Sequence, residues 1–335
     1  MRRRAGVAAV AAALITLAGC GGGAAPQSSG SGGDSSGGSS WQPTQGTYME
    51  VPFAPGGGSD VFGRAMAQGF EQARDGLNMT VENRAAGSGA VGYAFLLSKQ
   101  GDPNYLLASE TTGVALPITT KTPWTWKDFT PVMQVAADSN VLIVPADSPY
   151  TSLSQVVDAL KQGTPVKMGL TGATSVDAIV TGLMEKKAGV QFDRVIFQSG
   201  GEEVTGLLGG SVDMAMLNPS EVIGQIKAGA LKGLAVFADQ RYEQAPLDTI
   251  PTAKEAGVDV SFVQYRGVFA AGGITDAQAQ YWGQTVKMWT DSPEFTDYIT
   301  SNYLQKVLRP QGEFVSYLQD YEQTIRTALK TTGRN

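Results

Sequence analysis

The stretch Val51-Pro52-Phe53-Ala54-Pro55-Gly56-Gly57-Gly58-Ser59-Asp60 decides how the rest of the chain is read. It follows a short strand-like run, Thr47 to Val51, and precedes an apolar-periodic segment with Val61, Ala65 and Phe70. A strand, a glycine loop and a helix start together make a place where a ligand can be held. Glycines let bare backbone N–H groups approach it, and the positive end of the helix dipole favours an anion. The alternative is a tight strand-to-helix turn with Ser59 or Asp60 as helix cap.

Three further loops have the same character: Asn83 to Gly92 after Met79–Glu82, Gly169 to Ser175 after Val166–Met168, and Gln198 to Glu202 after Val195–Phe197. Loops at the carboxyl ends of strands in an open α/β sheet share one edge, and ligands bind there. Two of the four precede Val141 and two follow Pro145, so a lobe boundary between them gives each wall of a cleft two donor loops. The second loop contains Gly87-Ser88-Gly89-Ala90-Val91-Gly92, which fits the outline of a dinucleotide fingerprint with Glu110 downstream. In a chain with 42 glycines that outline arises easily by chance, and a nicotinamide cofactor is not expected.

Other strand-like runs are Tyr105–Ala108, Val141–Val144, Val212–Met216 and Leu234–Phe237, with helical patterns between most of them. The alternation predicts α/β architecture with largely parallel sheets. Ser152-Leu153-Ser154-Gln155 and Thr275-Asp276-Ala277-Gln278 read as helix capping boxes, and Ser292-Pro293-Glu294 as a third helix start. Ala279, Trp282, Val286 and Trp289 fall on one helix face. So do Phe314, Tyr317, Leu318, Tyr321, Ile325 and Leu329, a stripe read as core and not as a ligand shelf.

The chain opens Met1-Arg2-Arg3-Arg4, runs apolar from Ala5 to Ala18 and reaches Leu17-Ala18-Gly19-Cys20. That is a secretory signal too short to span a bilayer, and its end resembles a bacterial lipobox. Residues 1–19 are therefore expected to be a lipoprotein signal peptide, with Cys20, the single cysteine, lipidated. Fifteen of the twenty residues from Gly21 to Ser40 are Gly or Ser, so residues 20–46 are expected to form a flexible tether. Without the three arginines of the signal, 22 basic residues stand against 31 acidic, a formal charge of −9. Such a balance argues against nucleic acid as a partner. The absence of histidine removes a Ser-His-Asp triad and imidazole metal sites, so no catalytic residues, metal or cofactor are expected.

Val51 to Gly57, Val81-Glu82-Asn83-Arg84, Asp128-Phe129-Thr130-Pro131-Val132, Leu207 to Asp213, Ile226-Lys227-Ala228-Gly229 and Arg266-Gly267-Val268-Phe269-Ala270 occur in the same order as in the Bug-type substrate-binding proteins of tripartite tricarboxylate transporters. The resemblance spans about residues 47 to 330. It implies a two-lobed type II periplasmic-binding-protein fold, each lobe a mixed sheet flanked by helices, with the ligand cleft between the lobes. Lobe 1 would be 47–146 plus 266–335, and lobe 2 would be 147–265. By the same resemblance the chain would not be an enzyme. With the lipobox it would be a monomeric extracytoplasmic lipoprotein, anchored to the outer face of the cell membrane. It would capture a small carboxylate and deliver it to the permease subunits of the transporter. A ligand-sensing receptor on the same fold, signalling to a membrane partner, is the alternative.

The resemblance also implies a site. Phe53, Ala54, Gly56, Gly57, Gly58 and Ser59, with Ser88, Gly89 and Ala90, would hold one carboxylate, partly through water. Thr174, Ser175 and Asn218 would answer from the other lobe, and Thr111, Tyr265 and Arg266 complete the set. Ser175 could donate to the ligand or cap a helix, and Asn218 could read the ligand's far end or make an Asx-turn. Arg266 could pair with a second carboxylate or with an acid of the protein. Tyr265 could stack on the ligand or close the cleft. The chain departs from the family pattern at Ala178, Tyr265, Phe197 and Gln198, where histidine, tryptophan, tyrosine and lysine are usual.

Overall fold

Alternating strand and helix patterns give two layered α/β lobes, seen in a computed structural model that describes residues 41–172 and 175–331, with side chains as far as residue 327. The expected signal peptide, the lipidation of Cys20, most of the tether, Thr174 and the Leu329 side chain lie outside the described residues. The tether was expected to reach residue 46. Trp41 instead packs edge-on against Tyr281, with ring centroids 5.2 Å apart, because a large aromatic ring gains more from burial than from water.

The first pass of the chain runs β1 (Thr47–Val51), α1 (Gly58–Ala73), β2 (Met79–Asn83), α2 (Ala90–Leu97), β3 (Tyr105–Glu110), α3 (Thr112–Thr119) and β4 (Thr130–Asp138). The second lobe follows as β5 (Val141–Pro145), α4 (Leu153–Lys161), β6 (Lys167–Leu170), α5 (Val176–Ala188), β7 (Asp193–Ile196), α6 (Gly200–Leu208), β8 (Met214–Leu217), α7 (Pro219–Lys227) and β9 (Leu231–Val236). The chain then returns as β10 (Gln264–Ala270), α8 (Asp276–Thr290), α9 (Pro293–Ser301), β11 (Gln305–Pro310) and α10 (Gln311–Thr331).

The strands form a six-stranded sheet in the order β11-β4-β10-β3-β1-β2 and a five-stranded sheet in the order β7-β6-β8-β5-β9. β1 is parallel to β2 and β3, and β6 is parallel to β7 and β8. β10 runs antiparallel between β3 and β4, and β5 antiparallel between β8 and β9, so both sheets are mixed. The chain crosses between sheets at Ser139 and Asn140, earlier than the expected boundary after residue 146, because β5 pairs with β8 and β9 in the second sheet.

The helix starts follow the pattern expected of them. Ser152 Oγ accepts the Gln155 N–H, Thr275 and Gln278 cap each other reciprocally, and Ser292 Oγ accepts the Phe295 N–H. One face of the first sheet packs on α1 and α8 through Phe62, Met66, Phe70, Trp282, Val286 and Trp289. The opposite faces of both sheets share one core, which runs from Leu107 and Phe269 through Leu142 and Met168 to Phe314, Leu318 and Ile325 of α10. Of the stripe on α10, Phe314, Leu318, Tyr321 and Ile325 are buried in core, as its spacing predicts, and Tyr317 is half-buried. Each such side chain stabilises the fold by roughly 1.5–3 kcal/mol on burial.

Candidate functional site

Six helices begin just beyond the carboxyl ends of β1, β2, β3, β6, β7 and β8, and five of these starts converge on one cavity. Its wall includes Phe53, Gly57, Gly58 and Ser59 at α1, Thr112 at α3, Ser175 to Asp177 at α5, Ser199 and Gly200 at α6, and Asn218 and Glu221 at α7. Residues of both sheets therefore enclose it. Helix N-termini carry unpaired N–H groups and partial positive charge, so this geometry concentrates donors on a small volume. The lobes are shut on each other: the cavity is about 40 Å³, room for on the order of three waters.

A carboxylate of the protein already sits in the glycine loop. Glu221 Oε1 accepts the Gly58 N–H at 2.8 Å across the lobes, while Glu221 Oε2 accepts the Asn218 N–H at 2.8 Å. Three glycines leave room for it. A Cβ on Gly200 would lie 2.1 Å from Glu221 Oε1, and a Cβ on Gly57 or Gly58 would lie 3.5 Å from it. The contact shows that this loop can hold a carboxylate through its backbone.

The remaining expected residues divide. Phe53, Gly57, Gly58, Ser59, Ser175 and Asn218 line the cavity. Ala54 and Gly56 do not: the Gly56 N–H goes to Asp60 Oδ2 at 3.0 Å, and a Cβ on Gly201 across the cleft would come 3.2 Å from the Gly56 carbonyl. Asp60 secures α1 from its first turn, with Gly57 as the cap residue. Its carboxylate also accepts from Arg64 and Asn83, and these bonds hold it below its ordinary range although burial opposes them. Ser88, Gly89 and Ala90 lie outside the lining, in a turn where Ala86, Gly87, Ser88 and Gly89 all have positive φ. Ser88 abuts the other lobe at Gly172, where a Cβ would come 2.4 Å from its Oγ.

Three of the expected ligand contacts are claimed by the protein itself, that of Tyr265 through strand geometry. Neighbouring residues of a strand project to opposite faces. Tyr265 therefore turns away from the cavity into the α10 core, bonding Ser109 at 2.9 Å and packing on Phe314 and Tyr321. Thr111 turns the same way and pairs with the Tyr321 hydroxyl at 2.6 Å. Arg266 does lie beneath the glycine loop, with Nη2 3.1 Å from where a Gly58 Cβ would be, but both its bonding groups go to Asp138. The Ser175 hydroxyl donates to the Gly172 carbonyl at 3.1 Å and makes no helix-cap bond.

Ser199 and Gly200, from the fourth glycine loop, do line the cavity, whereas sequence reasoning overlooked Glu110, Thr112, Asn140, Asp177 and Glu221 as lining residues. One of them had a readable signal, since Asn218-Pro219-Ser220-Glu221 has the spacing of a capping box. Electrostatically the surroundings are acidic. Burial pushes Glu110 up to about 7, against hydrogen bonds from Thr112 and the charge of Arg266. Burial likewise raises Asp177 and Glu221, and carries Glu203, just behind the wall, well above the carboxylate range. Among the described residues no group of His, Cys, Asp or Glu is arranged to hold a metal ion.

Comparison with known proteins agrees with this architecture. Residues 63–333 match the family model described as the tripartite tricarboxylate transporter family receptor. A protein encoded in the gbd 5' region of Cupriavidus necator is 27% identical over 287 residues, covering 84% of this chain and 86% of its own. BugT of Bordetella pertussis is 28% identical over 220 residues, 64% of this chain and 67% of its own. The solved structure of the periplasmic binding protein BugD superposes with a TM-score of 0.83 at 19% identity, over 88% of this chain and 99% of that one. A Rhodopseudomonas palustris protein solved with adipate gives 0.81 at 22% identity, over 87% and 98%. MatC from the same organism, with bound malate, gives 0.79 at 21% identity, over 86% and 100%. These likenesses establish the type II periplasmic-binding-protein fold.

Proposed function

Since this chain belongs to the tripartite tricarboxylate transporter receptor family, we propose that it is an extracytoplasmic solute-binding protein that closes its two lobes over a small organic acid and hands it to a membrane permease. The observation that carries this reading is the Glu221 carboxylate held on the Gly58 N–H inside a cavity walled by helix N-termini. A ligand carboxylate is recognised by the same donors, so it and Glu221 compete for Gly58. With about 40 Å³ free, a solute enters only when the lobes part and Glu221 withdraws.

The step needs no covalent chemistry. Backbone N–H groups at Gly57 to Ser59 orient the acid from one lobe, and Asn218 and Ser199 meet it from the other. Closure then presents a changed surface to the permease. The solved relatives holding adipate and malate favour a small dicarboxylate-sized solute. The anchor at Cys20 and the tether behind it belong to the same proposal, and mass spectrometry of the membrane-extracted protein would find the lipid or its absence. The binding reading is tested by thermal unfolding with a panel of mono-, di- and tricarboxylates and their amino derivatives. One of these should raise the melting temperature at saturation, because a ligand bound only to the folded state stabilises it by mass action. A flat response across the panel would overturn the proposal.

A further inference from the structure

Two lengths of chain pass between the sheets, one leaving β4 through Ser139 and Asn140 and one entering β10 through Val263 and Gln264. Asn140 and Gln264 line the cavity, whereas Ser139 and Val263 line a separate groove of about 510 Å³. Neighbouring residues of extended chain project to opposite faces, so the crossings form a partition with the cavity before it and the groove behind. The groove is walled by Tyr242 and Gln244 from the stretch after β9, and by Tyr303 and Leu304 just ahead of β11. It therefore lies at the back of the hinge, between parts of both lobes.

At each crossing a tyrosine hydroxyl holds the backbone. Tyr242 Oη accepts the Ser139 N–H at 3.2 Å and donates to the Ser139 carbonyl at 2.9 Å. Tyr321 Oη donates to the Val263 carbonyl at 2.9 Å, and so accepts from the Thr111 hydroxyl at 2.6 Å. The two phenols are mounted on opposite lobes. Tyr242 packs on the second-lobe cluster that contains Val141, Leu217 and Val236, and Tyr321 is tied through Thr111 to the end of β3. Burial raises both phenols above their ordinary range, so each keeps the proton that it donates.

The N–H and carbonyl of Ser139 meet one partner in the way that they would in a hydrogen-bonded pair of an antiparallel ladder. Rotation about the Ser139 backbone swings the two groups apart and breaks at least one of the bonds. Moving Val263 away from α10 likewise breaks the Tyr321 bond. The groove admits water to the freed groups, so letting go does not leave them unsatisfied.

Resting on the solute-binding reading above, we propose that Tyr242 and Tyr321 are hinge clasps, whose hydroxyls fasten the two crossings in the shut form and release them when the lobes part. Neither touches the solute, and neither selects it. They set how often the cleft opens, and hence how fast a solute enters and leaves.

Hydrogen exchange in the protein without solute tests this. The Gly58 N–H is held by Glu221 across the cleft, so its exchange reports parting of the lobes. Tyr242→Phe and Tyr321→Phe each remove a hydroxyl and keep the ring. Each should speed Gly58 exchange by about threefold or more, and the double variant by about tenfold or more. The gain should be insensitive to low urea, because parting the lobes exposes little surface compared with unfolding. For a solute that raises the melting temperature, association and dissociation should quicken together and leave the affinity within about twofold, since the clasps fasten the shut form with or without solute. A Gly58 rate unchanged in the double variant, or raised only through unfolding that urea promotes, would overturn the clasps and leave the hydroxyls a purely structural role. The exchange measurement uses no solute, so a flat response to the carboxylate panel would count against the solute-binding reading alone.

Discussion

Arg266 gives both Nε and Nη2 to a single oxygen of Asp138, at 3.2 and 2.6 Å, with both side chains shut away from solvent. The pair joins β10 to the end of β4 directly beneath the glycine loop, so it supports the cleft without lining it. Removing one partner leaves the other as an uncompensated buried charge. Asp138→Ala should therefore destabilise the protein by about 3–5 kcal/mol in urea unfolding. A loss below about 1 kcal/mol would show that the guanidinium finds another partner, and that the pair is not what braces the loop.

Glu221 ties the lobes through Gly58. Glu221→Ala deletes that tie without touching either sheet. The variant should keep its far-UV circular dichroism and, without ligand, show a larger radius of gyration by small-angle scattering. An unchanged radius would mean that other contacts across the cleft hold the shut form.

Closure also requires bare backbone at Gly172. A Cβ there would lie 2.4 Å from Ser88 Oγ and 2.8 Å from its Cβ, and the turn bearing Ser88 already has strained left-handed backbone that cannot yield freely. Gly172→Ala should hold the lobes apart and weaken binding of whatever solute the wild type takes, by about tenfold or more. The double variant Gly172→Ala with Ser88→Gly should recover much of the loss. Failure of that rescue would locate the effect elsewhere.

The buried acids set the pH dependence of stability. Burial raises Glu110 to about 7 and Glu50 to about 7, the latter despite Arg84 beside it. A carboxyl whose folded value lies above its unfolded one binds its proton more tightly in the folded state. Stability then falls as pH rises from the ordinary carboxylate range through about 7, and levels off above it. Asp177, Glu203 and Glu221 are raised too and act in the same sense. The melting temperature without ligand should be higher at pH 5 than at pH 8, at matched ionic strength, and E110Q should flatten the slope. A melting temperature that climbs across this interval would contradict the assignment.

Much of this architecture was legible from periodicity and punctuation. The parallel strands β1, β2, β3 and β6 to β8 read as strand-like runs, four of them ending in glycine loops, and the capping boxes at Ser152 and Thr275 mark real helix starts. The strands left unmarked are β4, β10 and β11, the antiparallel side of the first sheet. β10 carries Gln264, Arg266 and Gly267 in a fully buried strand, a composition that pattern reading takes for a loop. Its Arg is tolerated only because Asp138 lies on the neighbouring strand, a contact 128 residues away in sequence. The site was half legible for the same reason. Loop chemistry marks backbone donors such as Gly57 and Gly58, but not which side chains tertiary partners will claim. Tyr321 claims Thr111, Asp60 claims the Gly56 N–H, and Glu221 comes from 163 residues away to occupy Gly58.

The C-terminal helix α10 has a consequence for how the molecule comes apart. It touches α3 and β4 of the first lobe and α5 of the second, and Tyr321 also bonds the Val263 carbonyl at 2.9 Å on the strand of chain returning between them. The two sheets consequently share one apolar interior beside the cluster that each keeps on its other face. The last helix is thus a common spine, and unfolding either half exposes apolar surface that the other half covers.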